Sequence, residues 1–87
     1  MEWLVIDAVR LRATKSYALI LMADNLKMLS EVYCVYTIQA GDILYPVQDA
    51  TYLINREERH TLTIISAMRY SGVHWRFLKK LASQLVG

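Results

Sequence analysis

From Glu2 to Arg12 the run EWLVIDAVRLR is rich in β-branched and large apolar side chains, and after the polar Thr14-Lys15-Ser16 the chain resumes as SYALILM. Apolar runs bounded by turn residues predict two antiparallel strands joined by a short turn. Ala23-Asp24-Asn25 is the next interruption, because Asp and Asn tolerate left-handed backbone and bond their own main chain in turns. The stretch after it carries two patterns at once. Leu26, Leu29, Val32 and Tyr33 have helical spacing with Asp24 placed as an N-cap, whereas VYCVYTIQ, from Val32 to Gln39, favours extended chain. The β-branched and aromatic content decides for a strand from about Glu31, with at most a helical turn before it.

Gly41-Asp42 is the clearest turn signal in the middle of the chain, and Pro46 in ILYPV restricts that segment to an edge strand or a strand end, since proline donates no ladder hydrogen bond. TYLIN and HTLTIIS then flank Arg56-Glu57-Glu58-Arg59, with Asn55 suited to open a type I turn. The rival is one helix capped by Asn55 with Glu58 at N3, but Thr61, Thr63, Ile64 and Ile65 crowd a helix, so a hairpin is predicted. After the break at Ser71-Gly72, VHWRFLKKLASQLV has helical periodicity. Arg76, Lys79, Lys80, Ser83 and Gln84 project to one side, and Trp75, Phe77, Leu78, Leu81, Ala82 and Leu85 to the other.

With no repeat and no Pro/Gly/Ser linker, residues 1–87 read as a single compact domain. Its class is α+β: a small antiparallel meander of about five to six strands followed by a C-terminal amphipathic helix. That order resembles, in outline, bacterial pleckstrin-homology-like domains. The likeness is one of topology, without a shared motif, and implies no function.

A strand wetted on one side alternates apolar with polar residues, and these strands barely do so. Tyr17, Leu19 and Leu21 oppose Ala18, Ile20 and Met22; Val32, Cys34, Tyr36 and Ile38 oppose Tyr33, Val35 and Thr37. Both faces read as buried, and a helix of about 14 residues, roughly 20 Å long, covers only one face of a small sheet. A barrel would bury one face and leave the other apolar, so the pattern favours a symmetric homodimer, with Tyr17, Leu19, Leu21, Tyr33 and Val35 as candidate oligomer contacts.

Composition sharpens this picture. The 87-residue chain is 55% hydrophobic and 21% charged, with a mean hydropathy of +0.22. That excludes intrinsic disorder and leaves more apolar surface than so short a chain hides easily. The longest stretch free of charged side chains, Val32 to Gly41, is ten residues, short of a membrane span. The start, Met1-Glu2-Trp3, lacks the basic segment and long apolar run of a signal peptide, and the single Cys34 permits no internal disulfide; a cytoplasmic setting is expected. The net charge of +2 hides a basic end: from Ala67 onward Arg69, Arg76, Lys79 and Lys80 stand without an acid. Beside Trp75 and Tyr70 they are candidate contacts to nucleic acid or another anionic partner, although a solvated helix face is the commoner reason for such a cluster.

Catalytic chemistry finds little support. Cys34 inside VYCVY reads as a small core residue, and neither His60 nor His74 is spaced to activate it. His74 falls on the apolar side of the last helix, where a histidine satisfied by backbone is the usual case. Two histidines and one cysteine without paired spacing do not make a zinc site. Asp7 shares a strand face with Trp3, Val5, Val9 and Leu11 and would be a buried carboxylate of raised pKa unless it sits at an edge or pairs with an arginine. Glu57 and Glu58 are adjacent and diverge, and Gly41, Gly72 and Gly87 are too scattered for a phosphate loop. No catalytic residue, cofactor or metal ligand is predicted. The expected protein is a non-enzymatic interaction module, a regulator, adaptor or inhibitor subunit that binds itself and another protein, with nucleic-acid binding through the basic helix face as the alternative.

Overall fold

A computed structural model describes residues 1–12 and 14–84. The predicted class holds: six antiparallel strands are followed by one helix. They are β1 Trp3–Leu11, β2 Ser16–Ala23, β3 Leu26–Tyr33, β4 Ile43–Gln48, β5 Thr51–Ile54, β6 Thr61–Arg69 and α1 Gly72–Gln84. The sheet closes on itself in the order β1-β2-β3-β6-β5-β4. Closure is what the strand pattern did not reveal, because a strand buried inside a barrel on one face and under a helix on the other reads like one sandwiched between two subunits.

β2 shows the point. Tyr17, Leu19 and Leu21 face the barrel interior with Val5, Val32, Leu44, Ile54 and Leu62. Ala18 and Ile20 lie on the outer wall with Leu11 and Leu29 beneath Trp75 of α1, with Val9, Leu78 and Ala82 packed around them. Leu19 is 0% exposed. Tyr17, Leu19 and Leu21 are therefore core residues of the monomer, and their assignment as oligomer contacts is corrected. Tyr33 and Val35 differ: both point outward, Val35 at 72% exposure.

Three bulges bend the strands into the small barrel. They fall between Val5 and Asp7 in β1, between Ile64 and Ser66 in β6, and between Pro46 and Gln48 in β4. Each leaves an extra residue outside the ladder, and those residues, Ile6, Ile65 and Val47, are exposed. The first bulge also inverts the facing of β1 midway: Trp3 and Val5 point inward, then Ala8, while Val9 and Leu11 meet the helix. Asp7 consequently leaves the face of Trp3 and Val5 and accepts the Ala8 N–H at 2.9 Å from a half-buried position. It is not the buried carboxylate that strict alternation predicts.

The third strand begins earlier than expected. Ala23 pairs with Leu26 across Asp24-Asn25, with Asp24 at φ 53°, so the hairpin starts β3 at once and leaves no helical turn. The chain departs from the ladder after Tyr33, although its alternation continues: Cys34 and Ile38 are buried and close the bottom of the barrel. The hairpin between β5 and β6 is present, but Asn55 and Arg56 are both left-handed, at φ 53° and 62°, and not the type I turn expected. Pro46 pairs with Tyr52 on one side and lies beyond the reach of β1 on the other, the edge position its chemistry requires.

Candidate interaction surface

Two seams of the barrel are short, and the second leaves a strand edge open. β1 and β4 share only the pairs Trp3–Leu44 and Leu4–Ile43, and β5 meets β6 only from Thr61 to Thr63. Backbone bonds extend both: Val5 N–H to the Asp42 carbonyl and Gly41 N–H to the Val5 carbonyl, each 2.8 Å, continue the first, and Ile54 N–H to the His60 carbonyl and Ile64 N–H to the Ala50 carbonyl, each 2.9 Å, continue the second. Beyond Ile64, residues 66–69 of β6 pair with β3 on one side, Ile65 being the bulge residue, and residues 65–69 meet no described strand on the other. All five are exposed. This is an open strand edge carrying Ile65, Ala67 and Met68.

The edge borders an apolar opening of about 90 Å³ at the barrel mouth, lined by Trp3, Leu21, Met28, Leu44, Tyr52, Ile64 and Ala67, with Ser30. Ser30 is buried but satisfied: its hydroxyl donates to the Ser66 carbonyl at 2.7 Å. That bond occupies a carbonyl freed by the β6 bulge and fixes β6 to β3 at the base of the open edge. A shallower hollow lies nearby between Trp3, Leu4, Met22 and Ile43.

The helix creates the second feature. Ser71 caps it, its Oγ accepting the His74 N–H at 3.2 Å, and Tyr70 is held by its N–H to the Lys27 carbonyl and by the Lys27 ammonium 4.1 Å over its ring. The docked seam is narrower than the apolar face of the sequence. Trp75 is 6% exposed and buried with Leu78 and Ala82 against the barrel wall, whereas Val73, Phe77 and Leu81 face solvent. The assignment of Phe77 and Leu81 to the docking side is corrected; Leu85 lies outside the described residues. A cleft of about 120 Å³ separates α1 from β6, lined by Leu29, Glu31, Ser66, Met68, His74 and Leu78 among others. In its wall Glu31 accepts the Ser16 hydroxyl at 2.8 Å.

Arg76, Lys79 and Lys80 are exposed along α1, and Arg69 stands apart at the end of β6. The aromatics expected to stack beside them are committed elsewhere, Trp75 to the core and Tyr70 under Lys27. Cys34 is buried; its Sγ accepts the Tyr36 N–H at 3.4 Å and lies 3.6 Å from the Thr61 carbonyl. Desolvation raises its pKa, and the Tyr36 N–H lowers it by less. His60 stacks on Tyr36 at 4.2 Å between centroids, and His74 meets Phe77 edge-on. Among the described residues no three His, Cys, Asp or Glu side chains gather as metal ligands. The open β6 edge was missed in the sequence; its signal was an apolar run, TIISAM, longer than the short TYLIN it would pair with.

Fold and surface define a class: a small α+β barrel with exposed apolar surface at an open strand edge and along its helix. Its family is more particular. Residues 1–76 match the IraM/PmrD family, and the chain belongs to that family. Over 85 residues it is 39% identical to the signal transduction protein PmrD of Salmonella typhimurium (strain LT2), covering 95% of this chain and 100% of the relative. Its identity to the signal transduction protein PmrD of Escherichia coli (strain K12) is 36% over 86 residues, covering 97% and 98%. The crystal structure of E. coli PmrD superposes with a TM-score of 0.86 at 37% identity, covering 94% of this chain and 99% of that one. The solution NMR structure of PmrD from Klebsiella pneumoniae gives 0.76 at 31%, covering 88% and 96%. The expectation of a non-enzymatic regulatory protein stands, and no helix among the described residues is long and apolar enough to cross a membrane.

Proposed function

We propose that this protein is a cytoplasmic signal-transduction adaptor that binds a partner protein at the barrel mouth, the partner adding a strand to the open edge of β6. The single observation that supports this is the stretch from Ile65 to Arg69, open on the side away from β3, beside an apolar opening. Strand addition supplies affinity through main-chain hydrogen bonds and specificity through side-chain pockets. At about 1 kcal/mol net per bond the five-residue edge alone is weak. Apolar burial at roughly 25 cal/mol per Å² in the mouth must supply the remainder. Relatives named as signal transduction proteins agree with a protein partner.

Self-association is the oligomeric form of the same reading, two copies pairing antiparallel along this edge, and light scattering across dilution decides whether it occurs. Nucleic-acid binding through Arg69, Arg76, Lys79 and Lys80 has less behind it, because Trp75 and Tyr70 are not free to stack a base.

The test is capture from native lysate with the wild type and with Ile65→Lys and Ala67→Arg, both exposed positions whose change leaves the core untouched. A protein held by the wild type and lost from both variants, with unchanged thermal melting, supports the reading. Retention by both variants overturns it.

A further inference from the structure

Val73, Phe77 and Leu81 stand at successive i, i+4 positions and form one line along α1, 71%, 57% and 37% exposed. At 3.6 residues per turn this line points away from the seam of Trp75, Leu78 and Ala82. Arg76 and Lys80 lie along one side of it and Lys79 beyond them, nearer Trp75; all three are exposed, and α1 contains no acid. The helix thus has two apolar stripes, one docked and one free, with Arg76 and Lys80 beside the free one.

Three occupants fit an apolar line with a basic flank: a second copy, an acidic protein groove or an anionic bilayer. A second copy packed helix to helix brings Arg76 and Lys80 against their own duplicates, a like-charge cost that nothing on α1 offsets. A protein groove needs area. A 13-residue helix is about 20 Å long, and one row of three side chains along it gives a few hundred Å², well under the roughly 800 Å² per partner of a stable interface. A bilayer needs neither shape complementarity nor a minimum area. Apolar side chains enter the headgroup boundary while Lys and Arg meet anionic lipid, each base contributing about 1 kcal/mol.

We propose that the outward face of α1 is a peripheral membrane contact: Val73, Phe77 and Leu81 insert shallowly into an anionic phospholipid surface, and Arg76 and Lys80 bind its headgroups. The contact is reversible, since three side chains and two charges fall far short of an anchor. It leaves the β6 edge free, so its failure does not bear on the partner reading, nor the reverse.

Sedimentation with vesicles of phosphatidylglycerol and phosphatidylcholine in equal parts, and with pure phosphatidylcholine, tests it on the full chain. The wild type binds the anionic vesicles at low salt, releases as salt rises, and ignores the neutral ones. Phe77→Ser and Arg76→Glu/Lys80→Glu each weaken binding by roughly tenfold or more, with thermal melting unchanged. No binding to anionic vesicles at low salt overturns the proposal. Binding that Phe77→Ser leaves intact overturns it too, by assigning the effect to charge alone. Retardation of duplex DNA as strong as vesicle binding and equally indifferent to Phe77→Ser would have the same consequence and return the bases to a nucleic-acid role.

Discussion

Asn55 is the residue whose side chain and backbone are both spent on closure. Its Oδ1 accepts the Ile43 N–H at 2.9 Å, its Nδ2 donates to Asp42 Oδ1 at 3.0 Å, and its φ of 53° is one that Asn adopts at low cost. Asp42, buried, also accepts the Gln39 N–H at 3.0 Å, so the pair clasps the start of β4 to the end of β5. Asn55→Ala removes two bonds and forces a Cβ-bearing residue without polar compensation into left-handed backbone. A loss of roughly 2 to 4 kcal/mol in denaturant unfolding is expected. Asn55→Gly restores the backbone alone and recovers about half of it. Equal losses in the two variants would refute the backbone share. Cys34 yields a second expectation at this scale. Burial raises its folded pKa, so the unfolded thiol ionises first as pH rises, the native state holds more protons, and stability falls from about pH 8.5 to 9 upward. Below that range both states are protonated and the thiol contributes no slope. Cys34→Ala should flatten the alkaline limb of a stability–pH profile, and the native thiol should resist a thiol reagent at neutral pH; rapid modification without unfolding would show the burial to be wrong.

At the scale of elements, α1 separates what the sequence reveals from what it conceals. Its limits followed from Ser71-Gly72 and the helical period, and its basic side was legible because charge is read directly. Which apolar residues dock was not, since periodicity defines a face wider than the strip a neighbouring wall can cover. Trp75→Ala should cost about 3 to 5 kcal/mol, whereas Phe77→Ala should fall within about 0.5. Thermal melts of the two variants check this contrast, and equal destabilisation would mean that Phe77 is packed. The strands repeat the lesson. The β5–β6 hairpin and the edge placement of Pro46 were readable from turn chemistry and the missing proline donor. The onset of β3 was not, because Leu26, Leu29, Val32 and Tyr33 share helical spacing by coincidence with a strand that a two-residue turn at Asp24-Asn25 starts at once. Nor was the inversion midway along β1, which one bulge residue, Ile6, produces. Bulges alter facing without altering composition.

On the scale of the whole molecule, cohesion is uneven in a way that bears on the candidate surface. β2 pairs along its length with β1 and β3 and is buried nearly throughout, whereas the β4–β5 hairpin is tied in by two pairs to β1 and three to β6, with the Asn55 clasp and the backbone bonds Val5–Asp42, Gly41–Val5, Ile54–His60 and Ile64–Ala50 beside them. Opening that hairpin breaks few bonds and exposes only part of the core, so it should occur sub-globally, while amides of β2 exchange only on global unfolding. The hairpin also carries Leu44 and Tyr52, which line the barrel mouth. Its opening therefore widens the apolar space beside β6, and an added strand that bridges β6 to the hairpin would hold it closed. Native-state hydrogen exchange should rank β2 and β3 slowest, β4 and β5 faster by at least about a hundredfold, or roughly 2.8 kcal/mol, and residues 65–69 of β6 mixed, with outward amides fast and those bonded to β3 slow. Bound partner should slow the outward β6 amides and the hairpin together. Slowing of the hairpin without the β6 edge would place the partner elsewhere on the barrel, and uniform exchange across all six strands would show that the short seams do not weaken it.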